Sequence, residues 1–253
     1  MTTWQDAFAQ QTRACRELGS GLTARVCEAL TRIVAADQGP VGRRIKNWAG
    51  DPAPGADSVP LRLCGALHAL VLAERAPALA QAYATGGGMY LDRDISDAIQ
   101  EHQRHTLEWL EFTPQTNEVA RSAPIIAAAW FLAAQKPGVG FEALELGASA
   151  GLNLNFPHYS LANEDGFQPT LAEDAGSDVR LAPLWRGTPP ARQPLAITSA
   201  RGVDLNPLDA DRDGFRLMAY VWPDQRDRMG RLRAALAVAR AYPPALDQGD
   251  AAD

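Results

Sequence analysis

The sequence predicts an α/β protein in which an N-terminal helical region precedes a Rossmann-like parallel sheet. Three observations lead there. No run of alternating apolar and polar residues occurs before position 140. The later half alternates strand-like and helix-like stretches, the pattern of a parallel α/β sheet. Between two of these stretches, ALELGASAGLNLNF (143–156) turns on its glycines from a short strand into a helical segment. The composition changes at KPGVG (136–140), which divides the chain into a helical region, 1–135, and an α/β region, 136–253.

In the first region Leu22, Val26, Leu30 and Ile33 recur at helical spacing. NWAGDPAPGADSVP then forms a loop, with Ser58 placed as an N-cap and Pro60 in the first helical turn. Leu63, Leu67, Leu70 and Val71 continue an apolar face, which YATGGGMYLD breaks. Ile95, Ile99, His102 and Leu110 line the next buried face. FTPQTNEVARSAP leads into an apolar helix around Ile125 to Leu132. In the second region FEALEL is a strand entering a core, and PLAITSARGVDLNP (194–207) is a strand ending at an acidic turn. Helices are expected over 209–220 and 225–241. The stretch from about 157 to 194 is rich in Pro, Gly and Asp, and reads as an irregular insertion.

Composition narrows the function. Hydrophobic residues make up 46% of the 253, the net charge is −6 and the pI is near 5.3. An acidic chain disfavours general nucleic-acid binding, which rests on Lys and Arg contacts to phosphates. Cys15, Cys27 and Cys64 form no C-x-x-C pair and read as small buried side chains in a reducing compartment. The N-terminus has no basic start followed by an apolar run. The longest apolar stretch, APIIAAAWFLAA, is shorter than the ~20 residues of a membrane span. A soluble, cytoplasmic protein is expected, with homo-oligomerisation left open.

The glycine turn admits several chemistries. Gly147-Ala148-Ser149-Ala150-Gly151 fits the G-x-S-x-G nucleophile elbow of serine hydrolases. That fold requires an acid and then a histidine after the serine, and the only histidine after Ser149 is His158, nine residues on. A nicotinamide site would show G-x-G-x-x-G, which this loop lacks. A tight strand-to-helix turn without a ligand is the third possibility.

Glu145-x-Gly147-x-x-x-Gly151 resembles the first motif of class I methyltransferases that use S-adenosylmethionine. By that resemblance Glu145, Gly147, Ala148, Ser149 and Gly151 line the cofactor. RGVDLNP (201–207) is similar to the second motif, a strand ending in an acid that accepts hydrogen bonds from the ribose hydroxyls. The resemblance gives that role to Asp204, whose carboxylate suits two neighbouring hydroxyls. LDQGDAAD (246–253) is similar to the third motif and places Asp250 near the adenine. The three stretches follow one another in the methyltransferase order.

GDPAPGADSVPLRL, PQTNEVARSAP, LELGASAGLNLN, GVDLNPLD and VWPDQ together resemble the bacterial domain-of-unknown-function family 2332. The resemblance implies an N-terminal helical region and a methyltransferase-like α/β domain. The sequence departs from a complete class I sheet in that it is expected to stop after the third strand, incomplete at the C-terminus. The family's name gives no established function; the three methyltransferase-like motifs imply S-adenosylmethionine binding and methyl transfer to an unknown acceptor, small molecule or protein. The alternatives are a non-catalytic binding or assembly module on a degenerate methyltransferase fold, and the serine hydrolase. Asn117, Glu118 and Arg121 are candidates to face the cofactor cleft. Equally, Thr116 or Asn117 can cap the next helix, and Glu118 and Arg121 can form an i,i+3 ion pair. His102 and His105 share a helix face with no third ligand at metal spacing, so no metal site is expected.

Overall fold

The structure, a computed structural model, describes residues 2–171 and 177–250. The chain divides into two compact units, Met1–Gln115 with Phe215–Arg226, and Thr116–Gly214 with Asp227–Asp253.

The first unit is built of helices α1 (Trp4–Glu17), α2 (Gly21–Ala36), α3 (Pro40–Lys46), α4 (Val59–Leu72), α5 (Pro77–Ala84), α6 (Leu91–Glu101) and α7 (Gln103–Leu110). Most of α9 (Gly214–Ala219) belongs to it as well. The apolar spacing read from the sequence becomes its core: Leu30, Leu63, Leu67, Leu70, Ile95 and Leu110 are fully buried. Thr3 caps α1 through the Asp6 amide, and Ser20 caps α2 through the Thr23 amide. Asp224 also reaches the start of α2, accepting from Ser20 Oγ (2.6 Å) and from the Leu22 amide (3.1 Å).

Ser58 stands at the N-cap position of α4, but its side chain makes no cap bond. Its backbone is left-handed (φ 52°), and its hydroxyl instead donates to the Pro54 carbonyl at 2.6 Å. His102 is only partly buried and sits between α6 and α7, so the single face expected there is two helices. The His102 and His105 rings each hydrogen-bond a backbone carbonyl, of Arg75 and Ala66 respectively.

The second unit begins with α8 (Ser122–Gln135), which leads into β1 (Gly140–Leu146). A 3₁₀ turn, Leu152–His158, follows the glycine loop. The segment that reads as irregular in sequence carries a small sheet of its own. Its strands are β2 (Ser160–Asn163), β3 (Gly166–Pro169) and β4 (Arg180–Leu181), in the order β3-β2-β4. Next come β5 (Ala196–Asp204), α10 (Arg226–Ala241) and β6 (Ala245–Gln248). β1, β5 and β6 form a wholly parallel sheet in that order, with Leu146 beside Val203 and Asp204 beside Gln248.

Parallel sheets are ordinarily covered on both faces. Here the 3₁₀ turn packs against β1 and β5. Gly202 makes room for it: a side chain there would meet Ala148, Leu154 and Leu246. On the other face Leu144 and Leu146 stay 72% and 60% exposed. Among the described residues no single helix is long and apolar enough to cross a membrane.

Candidate functional site

Because the three strands run parallel, their carboxyl ends share one edge, where ligands of open α/β sheets bind. The turn after β1 is shaped by three left-handed residues, Gly147 (φ 69°), Ser149 (φ 54°) and Gly151 (φ 65°). The two glycines serve different ends. A Cβ on Gly151 would lie 2.8 Å from Pro244 Cβ, so close packing excludes one there. A Cβ on Gly147 would meet nothing within 4 Å, so its missing side chain leaves open space. Ser149 takes up a conformation that costs an L-residue roughly 1–2 kcal/mol.

The loop is tied to the next strand. The amides of Gly147 and Ala148 both donate to the Val203 carbonyl, at 2.9 and 3.1 Å. The Ser149 amide donates to Asp204 Oδ2 at 2.7 Å, and the Asn206 amide to Asp204 Oδ1 at 2.8 Å. Gly151 and Leu152 donate to the Ala148 carbonyl and to Asn117 Oδ1 (both 2.8 Å). Amides engaged in this way are not available to cradle a phosphate, which is what a dinucleotide loop does. Asp204 keeps acceptor capacity, since a carboxylate offers about four lone-pair sites and two are in use. The tip of β6 joins the same point, the Gly249 amide donating to the Asp204 carbonyl at 3.0 Å. Asp250 follows it and is exposed.

A second polar layer lies behind the loop. Glu145 Oε1 accepts from Asn153 Nδ2 at 3.0 Å, and Asn153 Oδ1 accepts from Ser122 Oγ at 2.9 Å. Burial pushes the Glu145 carboxyl above the usual range. The Asn153 hydrogen bond and the Arg121 charge pull it back, while the Asp204 charge adds to the rise. The Tyr159 hydroxyl donates to the Leu152 carbonyl, and burial makes it a far weaker acid than free tyrosine, pushing its pKa well above the usual phenol value. Two buried polar atoms at the loop and this layer have no hydrogen-bond partner: Glu145 Oε2 and Ser149 Oγ. Ser149 is only 5% exposed. A nucleophilic serine needs a base in hydrogen-bond reach, and the bare Ser149 Oγ has none.

The sequence-derived candidates thus sort themselves. Glu145, Gly147, Ala148, Ser149, Gly151 and Asp204 gather at the ends of β1 and β5, and Asp250 stands at the end of β6. Asn117 reaches the loop through Leu152, and the charge of Arg121 acts on Glu145. Glu118 turns elsewhere: it caps the 3₁₀ turn Val119–Arg121 at the Ala120 amide and pairs with Arg228 (2.5 Å) and Arg231 (3.8 Å) of α10. The i,i+3 pair with Arg121 gives way to these arginines. Asn153, Ser122 and Tyr159 escaped the sequence reading. The asparagines alternating with leucines in LNLN were the available signal, since a buried amide needs partners. A separate cavity of about 280 Å³ touches the loop only at Ala150 and opens between Pro207–Arg212 and the end of α10.

Comparison with known families decides the chain's kinship. The model of one family, described as an uncharacterized protein conserved in bacteria (DUF2332), matches residues 5–253. The chain belongs to that family. The DUF2332 match spans both units, the glycine loop and Asp204 included. No curated protein and no solved structure matches the chain significantly.

Proposed function

We propose that the sheet unit of this DUF2332 protein binds S-adenosylmethionine and serves methyl transfer to a small-molecule or protein acceptor. The observation that supports this most is the meeting of Asp204 with the Gly147–Gly151 turn at the carboxyl ends of two neighbouring parallel strands. In this reading Glu145, Gly147, Ala148, Ser149, Gly151 and Asp204 hold the cofactor, with Asp250 beside them. The open space over Gly147 admits a ligand to the backbone. The unpartnered Ser149 Oγ and Glu145 Oε2 offer it hydrogen bonds, and Asp204 accepts from hydroxyls with its remaining lone pairs. A loop whose amides are internally engaged suits a cofactor without phosphates better than a dinucleotide. When bound, the cofactor supplies an activated methyl group; the protein supplies orientation and a shaped site.

Titration calorimetry with S-adenosylmethionine and S-adenosylhomocysteine tests the reading. Binding is expected, and Asp204→Ala should weaken it by about 1–3 kcal/mol, the scale of a lost charged hydrogen bond. Because Asp204 also holds the loop, Gly147→Ala is the second variant. It intrudes on the open space without meeting protein atoms and should lower affinity in a folded chain. No heat and no thermal shift at millimolar cofactor would overturn the cofactor assignment and leave a non-catalytic binding module.

A further inference from the structure

All three cysteines of the chain, Cys15, Cys27 and Cys64, meet in the core of the helical unit, although they lie on three different helices, α1, α2 and α4. The Cys27 and Cys64 sulfurs are 3.7 Å apart, in van der Waals contact with nothing between them. Cys15 lies close enough to raise the Cys27 thiol, and accepts a hydrogen bond from Gln11 Nε2 at 3.3 Å. Core packing alone asks only for small apolar side chains at these places. It does not ask that the whole thiol content of the chain converge on one point. The three differ in access: Cys15 and Cys27 are 0% exposed, and Cys64 retains 8%.

We propose that Cys27 and Cys64 are an oxidisable dithiol, which a hydroperoxide converts to a disulfide between α2 and α4. Cys64 is the entry point because it alone of the three keeps solvent exposure. Its thiolate sulfur attacks the peroxide O–O bond and takes one oxygen as a sulfenic acid. The other oxygen leaves with a proton, as water or an alcohol. The Cys27 sulfur then attacks the sulfenic sulfur; the S–S bond forms, the S–O bond breaks, and the hydroxyl leaves as water with the Cys27 proton. Two thiols lose two electrons and the peroxide gains them. The sulfurs must close from 3.7 Å to about 2.05 Å, the length of a disulfide bond.

The test uses the full chain, purified reduced, treated with one equivalent of hydrogen peroxide, alkylated under denaturing conditions and digested for mass spectrometry. The expected product is a Cys27 peptide joined to a Cys64 peptide, lighter by the two thiol hydrogens and reopened by a thiol reductant. Cys15 should be recovered alkylated, and Cys15→Ser should cross-link as the natural chain does. Recovery of Cys27 and Cys64 as alkylated thiols at the untreated level would overturn the proposal. So would Cys64 oxidised to sulfinic acid without a cross-link, or a bond that contains Cys15.

Discussion

Arg62 in the helical unit is 7% exposed, yet its guanidinium donates to the carbonyls of Asp57 and Leu110 and to Thr113 Oγ1. In the sheet unit Trp130 Nε1, Glu145 Oε2, Ser149 Oγ and Arg231 Nε are buried without any hydrogen-bond partner. Among the described residues every such atom falls in the sheet unit. A buried polar atom left unpaired costs about 1–3 kcal/mol. The helical unit avoids that cost; the sheet unit carries it, and two of its four unmet atoms border the glycine turn. The lesson is one of division: one unit completes its own interior, and the other keeps hydrogen-bonding capacity in reserve where a ligand is proposed.

The contrast can be broken or sharpened by variants of decreasing effect. Leu67→Ala, in the closed core of the helical unit, should cost about 2–5 kcal/mol in denaturant unfolding. A loss under about 1 kcal/mol would mean that this core is looser than its burial implies. Gly151→Ala comes next, at about 1–3 kcal/mol, because a left-handed backbone and a clash with Pro244 combine. Gly147→Ala should cost only about 1 kcal/mol, having the backbone strain without the clash. Equal losses for the two glycines would erase the distinction between a packed position and an open one.

Glu145 gives a smaller, pH-dependent effect. Burial raises its folded carboxyl above the unfolded value. Its contribution is therefore fully present below the ordinary glutamate range and is lost as pH rises through the raised value. Glu145→Gln, neutral throughout, should not show that loss; parallel stability curves for the two proteins across this window would refute the burial of Glu145. Smallest of all is the Arg201–Asp247 pair on the open sheet face, whose side chains are 66% and 63% exposed. Breaking it should change stability by about 1 kcal/mol or less, and by nothing measurable in high salt.

Much of this was legible in the sequence because the signals are local. FEALEL reads as a short strand and becomes β1; RGVD ends a strand and brings Asp204 to the loop. The helical core followed from apolar spacing. What stayed hidden depends on distant partners. β2, β3 and β4 are four, four and two residues long, set among prolines and glycines, and they exist through pairing with one another. Asx and Glx side chains show a similar limit. Asn117 looked like a helix cap and holds Leu152 instead; Glu118 looked like a partner for Arg121 and faces α10. The convergence of Cys15, Cys27 and Cys64 is likewise a product of helix packing, since their spacing in sequence carries no motif.

Asp204 has a mechanical consequence. Its two carboxylate oxygens hold the Ser149 and Asn206 amides, and its own carbonyl holds Gly249. One residue thus rivets together the turns that follow all three parallel strands. A pull on any one of these turns is therefore felt at the other two through Asp204.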